Sequence, residues 1–395
     1  MIKTFTIHTT ELDDEKIAIE QLISQLNPSG VGEMPLLKNT IGIIACHYEF
    51  VLSGIFEAVC KALPFEVVGT ISSAQSVPEI TDLLLMSIMV LTSDDVEFEL
   101  KVTESLVSEK AAAEVISDCY KSMTSAEKPS ERPALILTYA PFILQNCGDD
   151  YVNAVSEVSG GVPCFGTLAV DDTLDFKHCF MLSNGEYYSD KMALVLIYGK
   201  IEPKFFVANI SDSKILGQGA NITKSMGPIL MEVNGRHVIE YFEELGLAEV
   251  TETQYAMSSL PLLLDYHDGA PKVSKIFVML TEDKHAICAG AMPEGSTMYM
   301  AKADDQDVIK TTTETVDNML QNIENASAIL IYTCIARSMA LGGEHFKEME
   351  LINQKLGGKL PFLMANSGGE ICPTLVSDKK AINRFHNNAF IAVMF

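Results

Sequence analysis

Positive charge is what this sequence has least of. Its 395 residues include four arginines, Arg132, Arg236, Arg337 and Arg384, and 28 basic residues in all stand against 53 acidic ones. The net charge of −25 and a pI near 4.6 argue against nucleic-acid binding, which needs clustered cations to displace counterions from phosphates. They argue equally against docking on anionic lipid. The nine cysteines are scattered singly, with no C-x-x-C pair. Reduced thiols and a cytoplasmic setting are therefore expected. Met1 runs straight into the polar segment KTFTIHTTELDDEK, so no secretory leader is expected. No apolar run reaches the roughly 18–20 residues that a membrane span needs, and none is expected to cross one.

Signatures of catalysis are missing too. There is no G-x-x-x-x-G-K-[ST] phosphate loop, and Gly217-Gln218-Gly219 lacks the third glycine and the following helix of a dinucleotide fingerprint. Ser367-Gly368-Gly369 resembles a nucleophile elbow only superficially. No H-E-x-x-H occurs, and the eight histidines are dispersed, so no short metal motif can be named.

What is present is hydrophobic patterning. Hydrophobic residues make up 48% of the chain, enough for large cores, and the length exceeds what one core usually holds. Ala112, Val115, Ile116, Cys119, Tyr120 and Met123 recur at helical spacing, as do Val308, Thr312, Val316, Met319, Leu320 and Ile323. IGIIA is a fully apolar run, expected as a strand covered on both faces, and ALILTYA and AILIYT also read as strands. Asn184-Gly185 reads as a tight hairpin turn with MALVLIY as its returning strand, and Asn234-Gly235 as a second such turn. The polar stretch from Glu249 to Ser259 reads as loop or short helix.

Three stretches share one order. IGIIAC, helix, LPFEVVGTISS is the first; ALILTYA, helix, VPCFGTLAVDD the second; AILIYTC, helix, LPFLMANSGGE the third. Each of the last two follows a long amphipathic helix. The expected fold is α/β, with mixed sheets covered by helices. The expected organisation is two similar halves, residues 1–200 and 201–395, built from strand-helix-strand-strand units.

The polar residues of the last unit stand out among apolar strands. Arg337 falls just past a strand's carboxyl end, where open α/β sheets tend to bind ligands. There it holds a ligand carboxylate or phosphate, or a salt bridge to Glu344 or Glu370 that fixes the loop. Glu370 follows two glycines. It either accepts a ligand amine or is a surface or salt-bridged turn residue. His386 and Asn387 open the terminal strand. The histidine donates to a ligand, ligates a metal or haem, or is a satisfied structural residue. Cys334 reads as a buried small residue.

Cys334-Ile-Ala-Arg337, Gly369-Glu370-Ile371 and Phe385-His386-Asn387, taken together, resemble the FIST family of F-box and intracellular signal transduction proteins. Ile222-Thr-Lys-Ser225 with LMEVNGRHVIEYFEEL resembles the opening of that family's C-terminal domain. FGTLAVDD with NGEYYSDKMALVLIYG resembles its N-terminal domain. Two departures touch the site: Met364-Ala-Asn-Ser-Gly stands where the family usually has a Gly-aromatic pair, and Ala389 where a Thr often follows the H-N pair. The resemblance implies a sensory domain for small molecules such as amino acids. It implies ligand contacts at Arg337, Glu370, His386, Asn387 and Cys334, and signalling through a separate kinase, cyclase or chemotaxis partner. Haem-based nitric oxide or gas sensing is an alternative that the resemblance leaves open. A Cys-dependent hydrolase or transferase, with Cys334 as nucleophile and His386 as base, is another. No catalytic residue is named, and an enzyme is not expected.

Overall fold

The computed structural model describes residues 2–27, 35–124, 132–143, 146–173, 176–246, 261–377 and 380–395. The stretch from Glu249 to Ser259 lies outside them. Three units repeat along the chain. The first contributes β1 (Lys3–Thr9), β2 (Asn39–Cys46), β3 (Glu66–Ile71), the pair β4 and β5 (Gln75–Val77, Ile80–Asp82) and β6 (Met86–Ser93). The second contributes β7 (Glu97–Val102), β8 (Leu135–Ala140), β9 (Cys164–Leu168), the pair β10 and β11 (Met181–Ser183, Glu186–Tyr188) and β12 (Ala193–Tyr198).

The third opens with β13 (Lys204–Ala208). Among the described residues seven strands then intervene: β14 (Ala220–Met226), β15 (Ile229–Val233), β16 (Arg236–His237), β17 (Pro261–Asp265), β18 (Val273–Leu280), β19 (Ala286–Cys288) and β20 (Thr297–Met300). The unit resumes with β21 (Ile329–Cys334), β22 (Phe362–Ser367), the pair β23 and β24 (Glu370–Ser377, Lys380–His386) and β25 (Phe390–Met394).

Each unit pairs its strands in one order: β1-β6-β2-β3, β7-β12-β8-β9 and β13-β25-β21-β22. In each, the last two run parallel and the others antiparallel. Each sheet is then completed by a strand pair from another unit. β10 and β11 join β3, β23 and β24 join β9, and β4 and β5 join β22. This exchange ties the three units into one body of mixed six-stranded sheets. The parallel strands must pack closely where they meet. A Cβ on Gly69 would sit 1.8 Å from the Ile44 carbonyl oxygen, and one on Gly166 1.9 Å from that of Thr138, so both positions require glycine.

The inner faces of the three sheets share one core that includes Ile43, Leu137, Tyr139, Phe165, Leu330, Tyr332 and Ile391. Helices cover the outer faces. α1 (Glu15–Leu26), α2 (Glu49–Leu52) and α3 (Ile55–Ala62) lie on the first sheet; α4 (Ala112–Thr124) and α5 (Gly148–Ser159) on the second. α6 (Val238–Glu244) belongs to the inserted strands. α7 (Asp305–Gln321), α8 (Ile335–Ala340) and α9 (Lys347–Leu356) follow, with α7 and α9 packed on the third sheet. The helical spacing read in α4 is what buries Val115, Ile116, Cys119, Tyr120 and Met123 against sheet two. The inserted strands close on themselves, since β14 pairs with both β20 and β15. They form a small barrel around Leu230, Phe242, Leu262 and Phe277.

Asn184 takes φ 51° at the expected tight turn, but its returning strand is the short β11, not MALVLIY. Ala193–Tyr198 is buried along its whole length in the second sheet, between β7 and β8. An apolar run without alternation belongs inside a sheet, where both faces are covered. Among the described residues no helix is long and apolar enough to cross a membrane.

Candidate functional site

Four of the five residues singled out in the sequence gather at one seam. Cys334 ends β21, and its N–H donates to the carbonyl of Ala389 at 2.9 Å. Glu370 opens β23 and lies directly opposite His386 at the end of β24. The Asn387 N–H donates to the carbonyl of Ser274 in β18 at 3.0 Å, so the inserted barrel roofs this turn. Cys334, Glu370, His386 and Asn387 are all buried, Glu370 and His386 completely.

Burial decides the charge of the site. It pushes the Glu370 carboxyl well above the usual carboxylate range, against the opposing pull of Ser367, Ala389, Cys334 and Arg337. It also pushes the Cys334 thiol well up, and the neighbouring Glu370 adds to the rise. For His386, burial followed by the nearby Lys275 ammonium lowers the pKa from 6.5 to about 3. Desolvation disfavours the charged form of every one of these groups. At neutral pH the seam therefore holds a thiol and a neutral imidazole, beside a carboxyl group whose charged form burial disfavours. Burial thus disfavours the Glu370 carboxylate that would accept a ligand amine, and the Cys334 sulfur is no thiolate.

Several polar atoms here have no protein partner. His386 Nε2 lies 3.2 Å from the Cys372 carbonyl. A carbonyl only accepts, so Nε2 carries the hydrogen and Nδ1 presents a lone pair. That Nδ1, Asn387 Oδ1, Ser274 Oγ and Glu370 Oε1 are buried without a hydrogen bond. Glu370 Oε2 accepts a long 3.4 Å bond from the Ala389 N–H. Native interiors rarely leave several such atoms together.

Arg337 faces elsewhere. Its guanidinium is fully buried, and its partner is Glu348 of α9 rather than Glu344 or Glu370. Nε and Nη2 donate to Glu348 Oε1 at 3.0 and 2.8 Å, and Nη2 also reaches Thr312 Oγ1 at 2.8 Å and the Val308 carbonyl at 3.1 Å. Thr312 and Thr333 hydroxyls donate to the same carboxylate. The result is a clamp joining α7, β21, α8 and α9.

Two further residues at the seam escaped the sequence reading. Lys275 of β18 is fully buried and donates to both Asp149 carboxylate oxygens at 2.8 Å and to the Phe385 carbonyl at 2.7 Å. Burial works against its ammonium, yet Asp149 beside it leaves the pKa above the ordinary value. Asp149 also accepts from the Ala291 N–H at 2.8 Å. A lone lysine in the apolar strand VSKIFVML was a legible signal. Asp149 was not legible, because an acid in the first turn of a helix is commonplace.

The buried pair Glu370 and His386 makes stability depend on pH in opposite senses. The folded pKa of His386 lies below its ordinary 6.5, so its contribution is present above pH 6.5 and is lost as pH falls towards 3. The folded pKa of Glu370 lies above its ordinary 4.5, so its contribution is present below that value and is lost as pH rises through the folded pKa. Each group gives a slope of at most about 1.4 kcal/mol per pH unit. Urea denaturation from pH 4 to 8 is expected to show the acid-side loss flattened in His386→Asn and the neutral-side loss flattened in Glu370→Gln. Unchanged pH profiles in both variants would contradict the assigned protonation states.

Residues 40–236 match the sequence model of the FIST N domain, and residues 238–373 match that of the FIST C domain. No curated protein sequence matches the chain. The solved structures that align with it along nearly the whole length include the following two. A cyanuric acid hydrolase from A. caulinodans is 9% identical, with a TM-score of 0.38 over 100% of this chain and 99% of that one. A chorismatase is 9% identical, with a TM-score of 0.35 over 93% of this chain and 96% of that one.

Proposed function

Because the chain belongs to the FIST family, whose domains are associated with signal transduction, we propose that it is a small-ligand sensor acting through a separate partner. Its ligand site is the seam between β21, the β23–β24 pair and the inserted barrel. The observation that carries this is the group of unpaired buried atoms, His386 Nδ1, Asn387 Oδ1 and Glu370 Oε1. Each costs free energy in an apolar interior unless something hydrogen-bonds to it. Because burial disfavours charge on Glu370 and His386, and Lys275 and Asp149 are paired with each other, these atoms suit the neutral polar end of a small metabolite, such as an amide or hydroxyl. A side-chain amide of an amino acid has this chemistry, with two donors for His386 Nδ1 and Asn387 Oδ1.

Arg337 is reserved for Glu348 and serves as a support of the β21 loop. Cys334 is a wall of the site; its raised pKa weakens the nucleophile that a hydrolase or transferase would need. Haem ligation would also use His386 Nδ1, but it needs an open face beside the ring, and this ring is fully buried. A thermal-shift panel of amino acids, their amides and small polyols tests the reading. An amide- or hydroxyl-bearing member is expected to raise the melting temperature of the wild type, and Asn387→Leu to abolish the rise. No shift from any member at saturating concentration would overturn it.

A further inference from the structure

The inserted barrel carries a row of apolar side chains on its outer wall. Met226 lies opposite Ile229 across β14 and β15. Ile229 lies opposite Ile287 across β15 and β19, and Ile287 opposite Met279 across β19 and β18. Residues paired across neighbouring strands share a face. Their chain neighbours Leu230, Ala286, Cys288 and Leu280 point into the barrel core, so the four stand together on the outside. Met226 is 62% exposed and Met279 48%; Ile229 and Ile287 are half-buried between them.

The row crosses four strands, a width of roughly 14 Å, which matches the roughly 10–12 Å diameter of an α-helix. Methionines at both ends make it adaptable, since an unbranched thioether side chain repacks against different shapes. The rim is acidic. Glu282 and Asp283 stand exposed on the β18–β19 turn, and Glu294 accepts from the Ser225 N–H at 3.1 Å beside Met226. Of the two rim ammonium groups, Lys224 and Lys284, the first is already paired with Glu232 at 3.6 Å.

We propose that this row is the docking face for a basic amphipathic helix of a partner protein. Charge selects that occupant. A second copy of a chain carrying −25 would bring like charge to the same rim, and an anionic membrane would be repelled. A helix with an apolar stripe and flanking lysines or arginines satisfies both the row and the rim. β18 also connects this face with the candidate ligand site. Lys275 and Met279 lie on the same strand, roughly 13 Å apart at about 3.3 Å per residue. The inference thus deepens the sensor reading by giving it an output surface, and its test uses no small ligand, so either can fail alone.

The probe is a labelled leucine–lysine peptide with helical periodicity, titrated with the full chain and read by fluorescence anisotropy. Saturable binding is expected, at least tenfold weakened in the double variant Met226→Glu/Met279→Glu. A leucine–glutamate peptide of the same pattern is expected not to bind. The variant adds negative charge, so binding driven by electrostatics alone would become tighter. Equal or tighter binding by the variant overturns the proposal, and so does an absence of saturable binding to the wild type. Met226→Ser/Met279→Ser, which removes only apolar surface, is expected to weaken binding as well. Sedimentation showing a dimer that these substitutions dissolve, or flotation with anionic vesicles that they abolish, would assign the face to another occupant and equally overturn it.

Discussion

Glu348→Ala is expected to lower the unfolding free energy by about 3–5 kcal/mol, because it leaves the Arg337 guanidinium buried without its counter-charge. Arg337 is completely buried and Glu348 nearly so. Their contact is a 2.8 Å charge-assisted bond with threonine hydroxyls on the same carboxylate, and no solvent screens it. The loss would spread, since this network connects α7, β21, α8 and α9. Replacing both partners together, Arg337→Leu with Glu348→Leu, is expected to cost much less than either single change. Desolvating an ion pair consumes most of what its attraction gives back, and an apolar pair avoids both. Urea denaturation of the three variants closes the cycle. A single-variant loss under about 1 kcal/mol would show that the clamp is not the support described here.

Lys275→Met is expected to have an effect of the same size, about 3–5 kcal/mol, but with a different spatial signature. The substitution strands the Asp149 carboxylate beneath the barrel and removes the bond to the Phe385 carbonyl. Surroundings offer little relief. A Cβ on Gly290 would sit 2.6 Å from Lys275 Nζ and 2.7 Å from Asp149 Oδ2, so the backbone is pressed against the pair. Hydrogen exchange should therefore rise first along β18 and the His386–Asn387 turn, where the barrel meets the body, while the central core strands β8 and β12 stay protected. Uniform loss of protection throughout the chain would contradict a local role at this seam.

Much of the fold was legible because it rests on periodicity. The apolar runs that became β2, β8 and β21 and the helical stripe of α4 each state their own burial. The order shared by three stretches was legible for the same reason, although the reading grouped them into two halves. Their completion by strand pairs from other units was not. A short pair such as Glu186–Tyr188 carries no mark of which sheet edge it joins, and MALVLIY took the place of its partner in the reading. The closed inserted barrel was hidden likewise, because closure depends on β14 meeting β15 and β20 at once.

At the site, Cys334, Glu370, His386 and Asn387 were legible as polar interruptions of apolar strands. The shifts in their protonation were not, since these follow from burial that only the assembled seam supplies. The Arg337 partner was misplaced by four residues or more, although Glu348 lies four before Ile352 on the buried face of α9. Asp149 had no signal at all, being distant in sequence from Lys275.

The most direct test of the ligand site compares the wild type with Asn387→Leu in the presence of the panel's best amide ligand. At about one hundred times its dissociation constant, a ligand that binds only the native state adds about 2.7 kcal/mol, a rise of several degrees in melting temperature. The seam reading predicts that rise in the wild type and none in Asn387→Leu. An equal rise in both proteins would place the ligand elsewhere and contradict it.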